Sequence, residues 1–215
     1  MNREHKIISP IIQEYCEKNS SNEPLIAKTI FNSSRNLLNS YMLIGKIVGN
    51  LLRILISISH GKNVLEIGTF TGYSAAMIAS ALPVDGKLIT IEECIDAYKL
   101  ATKNLSKLIN CGKISVINSE GLEWLSNYKG APFDIIFLDA RKESYIGKIE
   151  LIYKSLSLNG LLIIDNSLAR GAVLKPEKKW QEITNTINNQ LSRDKRFITV
   201  LLPIRDGIFL AKRIK

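Results

Sequence analysis

Two short stretches, 133–138 (FDIIFL) and 160–164 (GLLII), are apolar almost without interruption, and each is followed at once by an aspartate, Asp139 and Asp165. A strand with one face in water alternates apolar and polar residues. An uninterrupted run has to be covered on both faces, as in a parallel sheet between two layers of helices. Stretches 63–67, 87–91 and 113–117 have the same texture. Between these runs, helical spacing predicts helices over 73–82, 95–110, 121–128, 142–156 and 178–191. Strand and helix therefore alternate from residue 63 onward, which predicts a doubly wound α/β sheet. Stretches 197–203 and 207–212 read as two further strands around the turn Arg205-Asp206-Gly207, an antiparallel hairpin added at one sheet edge. Upstream, 4–18, 23–39 and 46–58 read as helices, with a polar break at 36–39. The expected organisation is one domain over 1–215, with 1–60 as a helical N-terminal cap.

Composition narrows the class. A chain of 215 residues with 46% apolar residues can bury a sizeable core unaided. Lys plus Arg exceeds Asp plus Glu by 29 to 20, a net charge of +9 that permits a nucleic-acid partner without requiring one. Cys16, Cys94 and Cys111 are widely spaced and odd in number, which argues against a disulfide framework or zinc site and for a reducing cytoplasm. They read as packing residues, as do Trp124 and Trp180. The first residues carry charges inside their apolar stretch, unlike a signal peptide. The apolar region 41–59 is interrupted by Lys46, Asn50 and Arg53, so no membrane span is expected. His5 and His60 stand apart from every motif and read as surface residues.

Ligands of doubly wound sheets bind beyond the carboxyl ends of the strands, so the residues ending each strand carry the functional information. The first strand runs through Glu66 into a turn with two glycines, Gly68 and Gly72. This is not G-x-G-x-x-G, and a carboxylate at its entrance suits an amine better than a pyrophosphate. The second strand leads into Glu92-Glu93, about 20 residues on, where an acid can accept both ribose hydroxyls. Together they favour a nucleoside with a charged amino-acid tail, S-adenosylmethionine, over a dinucleotide. Asp139, Asp165 and Asn166 place two carboxylates and an amide carbonyl at adjacent strand ends, a hard-oxygen set suited to Mg²⁺ or another hard divalent ion. Lys142, three residues after Asp139, is a candidate base whose pKa a nearby cation would lower.

The segments VLEIGTFTGYSA at 64–75, FDIIFLDARKESY at 133–145, GLLIIDN at 160–166 and LLPIRDGIFLAKR at 201–213 resemble the cation-dependent O-methyltransferases, the family that includes the caffeoyl-CoA and catechol enzymes. The likeness extends from about residue 23 to the C-terminus. It implies a Rossmann-like class I methyltransferase fold. It further implies that Ile44, Glu66, Gly68, Thr69, Ser74, Glu92, Gly121 and Asp139 contact S-adenosylmethionine, that Asp139, Asp165 and Asn166 hold the metal, and that Lys142 and Asp139 serve catalysis. The implied acceptor is a small catechol-like diol, and the implied assembly a homodimer through the N-terminal helices and late hairpin. Some members of similar sequence methylate a hydroxylated uridine in tRNA, and Arg170, Lys175, Lys178, Lys179, Arg193, Lys195 and Arg196 would suit a phosphate-binding rim. A third possibility, suggested by Arg141 and Ala169, is a non-catalytic S-adenosylmethionine-binding protein.

Four departures from the family pattern carry expectations. Arg141 replaces a frequent second Asp and would bring a cation close to the metal. Ala169 replaces a frequent aromatic residue and would open the acceptor wall. Segment 45–49 (GKIVG) replaces a more polar, acid-bearing one. Ser119-Glu120-Gly121 replaces Gly-Asp-Ala near the expected adenine.

Overall fold

The computed structural model describes residues 8–215; the part of the first predicted helix before residue 8, and His5, lie outside them. Three helices lead in: α1 (Pro10–Lys18), α2 (Leu25–Ser34) and α3 (Gly45–Ser59), with a 3₁₀ turn Ser40–Met42 before the last. Then come β1 (Asn63–Ile67), α4 (Tyr73–Ala81), β2 (Lys87–Glu92), α5 (Ile95–Asn104), α6 (Ser106–Asn110), β3 (Ile114–Asn118), α7 (Gly121–Asn127) and β4 (Phe133–Leu138). A 3₁₀ turn Lys142–Tyr145 leads to α8 (Ile149–Ser155) and β5 (Leu156–Ile164). A second, Ala169–Leu174, leads to α9 (Lys179–Arg193), β6 (Phe197–Leu202) and β7 (Ile208–Arg213).

The seven strands form one sheet in the order β3-β2-β1-β4-β5-β7-β6. The first five are parallel, and β7 lies antiparallel between β5 and β6. The doubly wound sheet with an added hairpin is as the patterning predicts. The uninterrupted runs are uninterrupted because helices cover both faces. One core layer packs α2, α3 and α4 against the sheet through Ile30, Val48, Leu52, Ile56 and Met77. The other packs α7, α8 and α9 through Leu122, Leu125, Ile149, Ile152, Ile183 and Leu191.

Three differences have local physical causes. The predicted helix 95–110 breaks at Leu105 (φ −93, ψ 4), whose side chain is fully buried against Gly72 while Asn104 donates to the Thr71 carbonyl at 2.9 Å. Tertiary packing on the first loop outweighs helix continuity there. The predicted helix 142–156 splits into the 3₁₀ turn and α8 around Gly147 at φ 70, and β5 begins at Leu156 because that residue already pairs with Phe133. The cysteines are exposed, not packed.

The span Ser40–Ser59 is, in spite of its charges, long and apolar enough to cross a membrane. Here it is bent at Gly45 (φ 73), and Val48, Leu52 and Ile56 are spent on the core. Gly49 lets α3 approach α4, since a Cβ would press on Met77 at 2.7 Å. Polar ties hold the leading helices: Asn50 donates to the Ser21 carbonyl at 2.8 Å, Lys46 to the Glu17 carbonyl at 2.6 Å, and Tyr73 hydroxyl to Glu23. Phe137, in the central strand β4, is fully buried. Phe137→Ala should cost about 3–5 kcal/mol, read as a lower urea midpoint with an unchanged slope.

Candidate active site

Because β1 to β5 run parallel, their carboxyl ends share one sheet edge, and the loops leaving them enclose a cavity of about 1150 Å³. Gly68 and Phe70 line it from the loop after β1, Glu92 and Glu93 after β2, Glu120 and Gly121 after β3, Asp139 and Arg141 after β4, and Asn166 and Arg170 after β5.

The first loop needs its glycine. Gly68 sits at φ 104, and a Cβ there would strike the carbonyl oxygen of Asp139. Gly121 is equally confined, since a Cβ would run into Ile67. Behind the loop Glu66 is fully buried. Its Oε2 accepts a hydrogen bond from the Thr90 hydroxyl at 2.6 Å, and Thr90 is itself hydrogen-bonded to the Thr69 hydroxyl. Among the described residues its Oε1 accepts no hydrogen bond. Burial raises this carboxyl to about 7, the Ser74 and Thr90 hydroxyls oppose the rise, and the charge of Glu92 adds to it. A buried carboxylate oxygen without a donor is costly, and an ammonium group is the donor that meets the need. Glu92 is anchored differently: Oε2 accepts the Phe70 N–H at 2.7 Å and Oε1 the Cys94 N–H at 2.9 Å. A carboxylate held at both oxygens keeps further lone pairs for a diol.

The sheet brings the two aspartates together. Leu138 pairs with Ile164, the Asp165 N–H donates to the Leu138 carbonyl at 3.1 Å, and the Asp139 N–H to the Ile67 carbonyl at 2.9 Å. Burial raises both carboxyls, and the charge of Asp165 raises Asp139 further. Asn166, at φ 53, donates its N–H to Asp165 Oδ1 at 2.7 Å. Lys142 is 7% exposed; burial lowers its pKa, while the charges of Asp139 and Asp165 oppose the fall. Its Nζ lies 5.3 Å from the centre of the Tyr145 ring, and the buried Tyr145 hydroxyl accepts the Ala140 N–H at 2.7 Å, fixing the turn that carries Lys142. Two buried carboxylates on adjacent strand ends, with Asn166 following the second at the cavity wall, form a set that a hard divalent cation would neutralise.

Of the predicted residues, Gly68, Glu92, Gly121, Asp139 and Asn166 line the cavity, while Glu66, Thr69, Ser74, Lys142 and Asp165 are buried behind them. Ile44 is buried in the core at the start of α3, and the segment before it reaches the cavity through Tyr41 and Met42 instead. Arg141 does not crowd the carboxylates: it is exposed and pairs with Glu93 at 2.5 Å. Ala169 is buried, and Trp180, expected in packing, lines the cavity and supplies an aromatic surface. Trp124 does pack, 5.0 Å from Tyr128 between ring centres. Glu120 caps α7 by accepting the Glu123 N–H. Sequence reasoning passed over Thr90, Tyr145 and Arg205. Thr90 and Tyr145 lie inside or beside motifs already singled out, but the functional signal, a hydroxyl on a neighbouring strand or turn, is spatial.

A family model described as O-methyltransferase matches residues 17–214. The caffeoyl-CoA O-methyltransferase of Eucalyptus gunnii is 31% identical over 179 residues, covering 78% of this chain and 72% of that protein. Tapetum-specific methyltransferase 1 of Arabidopsis thaliana is 32% identical over 173 residues, covering 76% and 74%. Among solved structures, the SAH-bound methyltransferase PaMTH1 of Podospora anserina superposes with a TM-score of 0.86 at 24% identity, covering 94% of each chain. The O-methyltransferase TomG of Streptomyces achromogenes, involved in tomaymycin synthesis and solved with SAM, gives 0.84 at 23% identity, covering 95% and 96%.

Glu66 carries a pH signature. Its folded pKa of about 7 lies above the ordinary 4.5, so between these values the folded state holds more protons than the unfolded one. Its contribution to stability is therefore fully present below pH 4.5 and falls as pH rises through 7. In the cofactor-free protein, the stability of Glu66→Gln relative to wild type should rise by roughly 3 kcal/mol across that window, measured by urea unfolding at a series of pH values.

Proposed function

The chain belongs to the O-methyltransferase family whose model spans residues 17–214, and from that membership and the geometry above we propose an S-adenosylmethionine-dependent, divalent-cation-dependent enzyme. It methylates one hydroxyl of a small aromatic acceptor with vicinal hydroxyls. The observation that carries this reading is the pairing of Asp139 with Asp165, with Lys142 on the adjacent turn and the Gly68 loop in contact with the Asp139 peptide.

S-adenosylmethionine supplies an electrophilic sulfonium methyl, and a divalent cation supplies Lewis acidity that lowers the pKa of an acceptor hydroxyl. The residues of this chain do the rest. The orphaned Glu66 oxygen and Asp139 suit the cofactor's ammonium, and Glu92 its ribose. Asp139, Asp165 and Asn166 would hold the cation. Lys142, its neutral form favoured by burial, takes the hydroxyl proton at Nζ. Tyr41, Met42 and Trp180 present an apolar wall to the acceptor ring. Much of the rate gain comes from holding the attacking oxygen in line with the methyl carbon and sulfur.

A second reading, methylation of a hydroxylated uridine in tRNA, draws on Lys175, Lys178 and Lys179, exposed just ahead of the cavity residue Trp180. Arg196 does not belong to that rim, since Glu150, Asp194 and the Tyr153 ring engage it. Binding of unmodified tRNA with a steep salt dependence would favour this reading.

For the leading reading, purified protein with S-adenosylmethionine and Mg²⁺ should methylate a catechol, and EDTA should abolish the reaction. Lys142→Ala should lower kcat by about 10²-fold or more while cofactor affinity changes little. Turnover unaffected by EDTA would refute cation dependence. Exposed apolar residues on α1 (Ile11, Ile12, Tyr15) and on the edge strand β6 (Ile198, Val200) support a homodimer. Sedimentation equilibrium should give twice the mass of 24.1 kDa.

A further inference from the structure

Arg170 and Arg205 both lie on left-handed backbone, at φ 57 and φ 51. That conformation is uncommon for a long side chain and persists where the surroundings enforce it. Here the surroundings are two turns tied together. The Leu168 N–H donates to the Asp206 carbonyl at 2.7 Å, the Ser167 N–H to the Gly207 carbonyl at 3.0 Å, and the Arg170 N–H to the Asp206 carboxylate. The turn after β5 is thereby fastened to the turn between β6 and β7, and both arginines line the cavity beside Asn166 and Trp180.

Neither guanidinium takes part in an ion pair among the described residues, whereas Arg141 and Arg196 do. The acids facing them across this cavity are Asp139, Asp165 and Asp206, and Glu17 shares a smaller neighbouring pocket with Arg205. One oxygen of Asp206 is occupied by the Arg170 N–H, and the Asp206 carboxylate forms no ion pair with either guanidinium among the described residues. Asp139 and Asp165 are the pair assigned above to the cation. Two guanidiniums on an enforced backbone thus face the cavity with their donors unspent, and a planar fork of donors matches an oxyanion.

We propose that Arg170 and Arg205 form an oxyanion subsite, so that the acceptor is a vicinal aromatic diol carrying a carboxylate or phosphate. This rests on the acceptor reading above and narrows it. An aromatic ring held against Trp180 spans from the carboxylate pair, where its hydroxyls react, to the arginines, where its anionic substituent docks. A purely neutral catechol offers these guanidiniums no opposite charge.

The test is calorimetric titration of the whole protein, loaded with S-adenosylhomocysteine and Mg²⁺. The ligands are three compounds sharing the diol: catechol, 3,4-dihydroxybenzoate and 3,4-dihydroxyphenyl phosphate. At least one anionic ligand should bind roughly tenfold or more tighter than catechol, and which one does so separates a carboxylate source from a phosphate source. Arg170→Gly and Arg205→Gly remove the guanidinium and relax the left-handed backbone, so each should keep or raise Tm while bringing the anion-to-catechol ratio toward one. Equal affinity for all three ligands, no binding of any, or a ratio unchanged in both variants overturns the subsite. Methylation of catechol is scored separately. Transfer without anion preference ends the subsite and leaves the enzyme reading standing, and anion preference without transfer does the reverse.

Discussion

The parallel pairing of β4 with β5, Leu138 opposite Ile164, is the contact on which the candidate site depends. Each strand is covered on both faces, and apart from Asp134 near the start of β4, which accepts the N–H groups of Lys62 and Asn63, neither carries a charged side chain until it leaves the sheet. The first residue past each strand is an aspartate, and one ladder register decides that the two emerge as neighbours. A slip of one residue would send one carboxylate to the opposite face. The apolar pairs along these strands thus fix the spacing of the acids as well as the core.

From that juxtaposition follow the electrostatics. Asp139, Asp165 and Glu66 are all held above their ordinary pKa by burial, and Lys142 below its own. Desolvation pushes acids and base toward their neutral forms, and their mutual attraction restrains both. Perturbed acids and a perturbed base gathered in one cavity are the pattern expected of a functional site. Thr90 and Tyr145 steady it without touching the cavity: one fixes an oxygen of Glu66, the other the peptide that follows Asp139.

Much of this was legible in the sequence. The strand runs could be read because double burial leaves an uninterrupted apolar signature, and β1 and β4 fall where it places them. The acids at strand ends could be read because the fold class states where strand ends gather. What could not be read depends on contacts across the chain. The break at Leu105 exists because Gly72 leaves room for that side chain, more than thirty residues earlier in sequence. Arg141 looked like an intruder beside the aspartate pair because its distance from Asp139 in sequence is short, yet Glu93, from the loop after β2, draws it outward. Trp180 read as core because an aromatic on an amphipathic helix usually is, and only the turn before α9 reveals that it faces the cavity.

Gly68 was described as a residue with no room for a side chain, because the Asp139 carbonyl lies against it. The same contact means that the loop suited to the methyl donor and the strand end suited to the cation share a wall one atom thick. Neither can be displaced without carrying the other along. The spacing between the Gly68 loop and the end of β4 is therefore built into the backbone as a fixed gauge, set by van der Waals contact of a glycine and a peptide oxygen rather than by any adjustable side chain. Drift in sequence can reshape the far wall of the cavity and leave that gauge untouched.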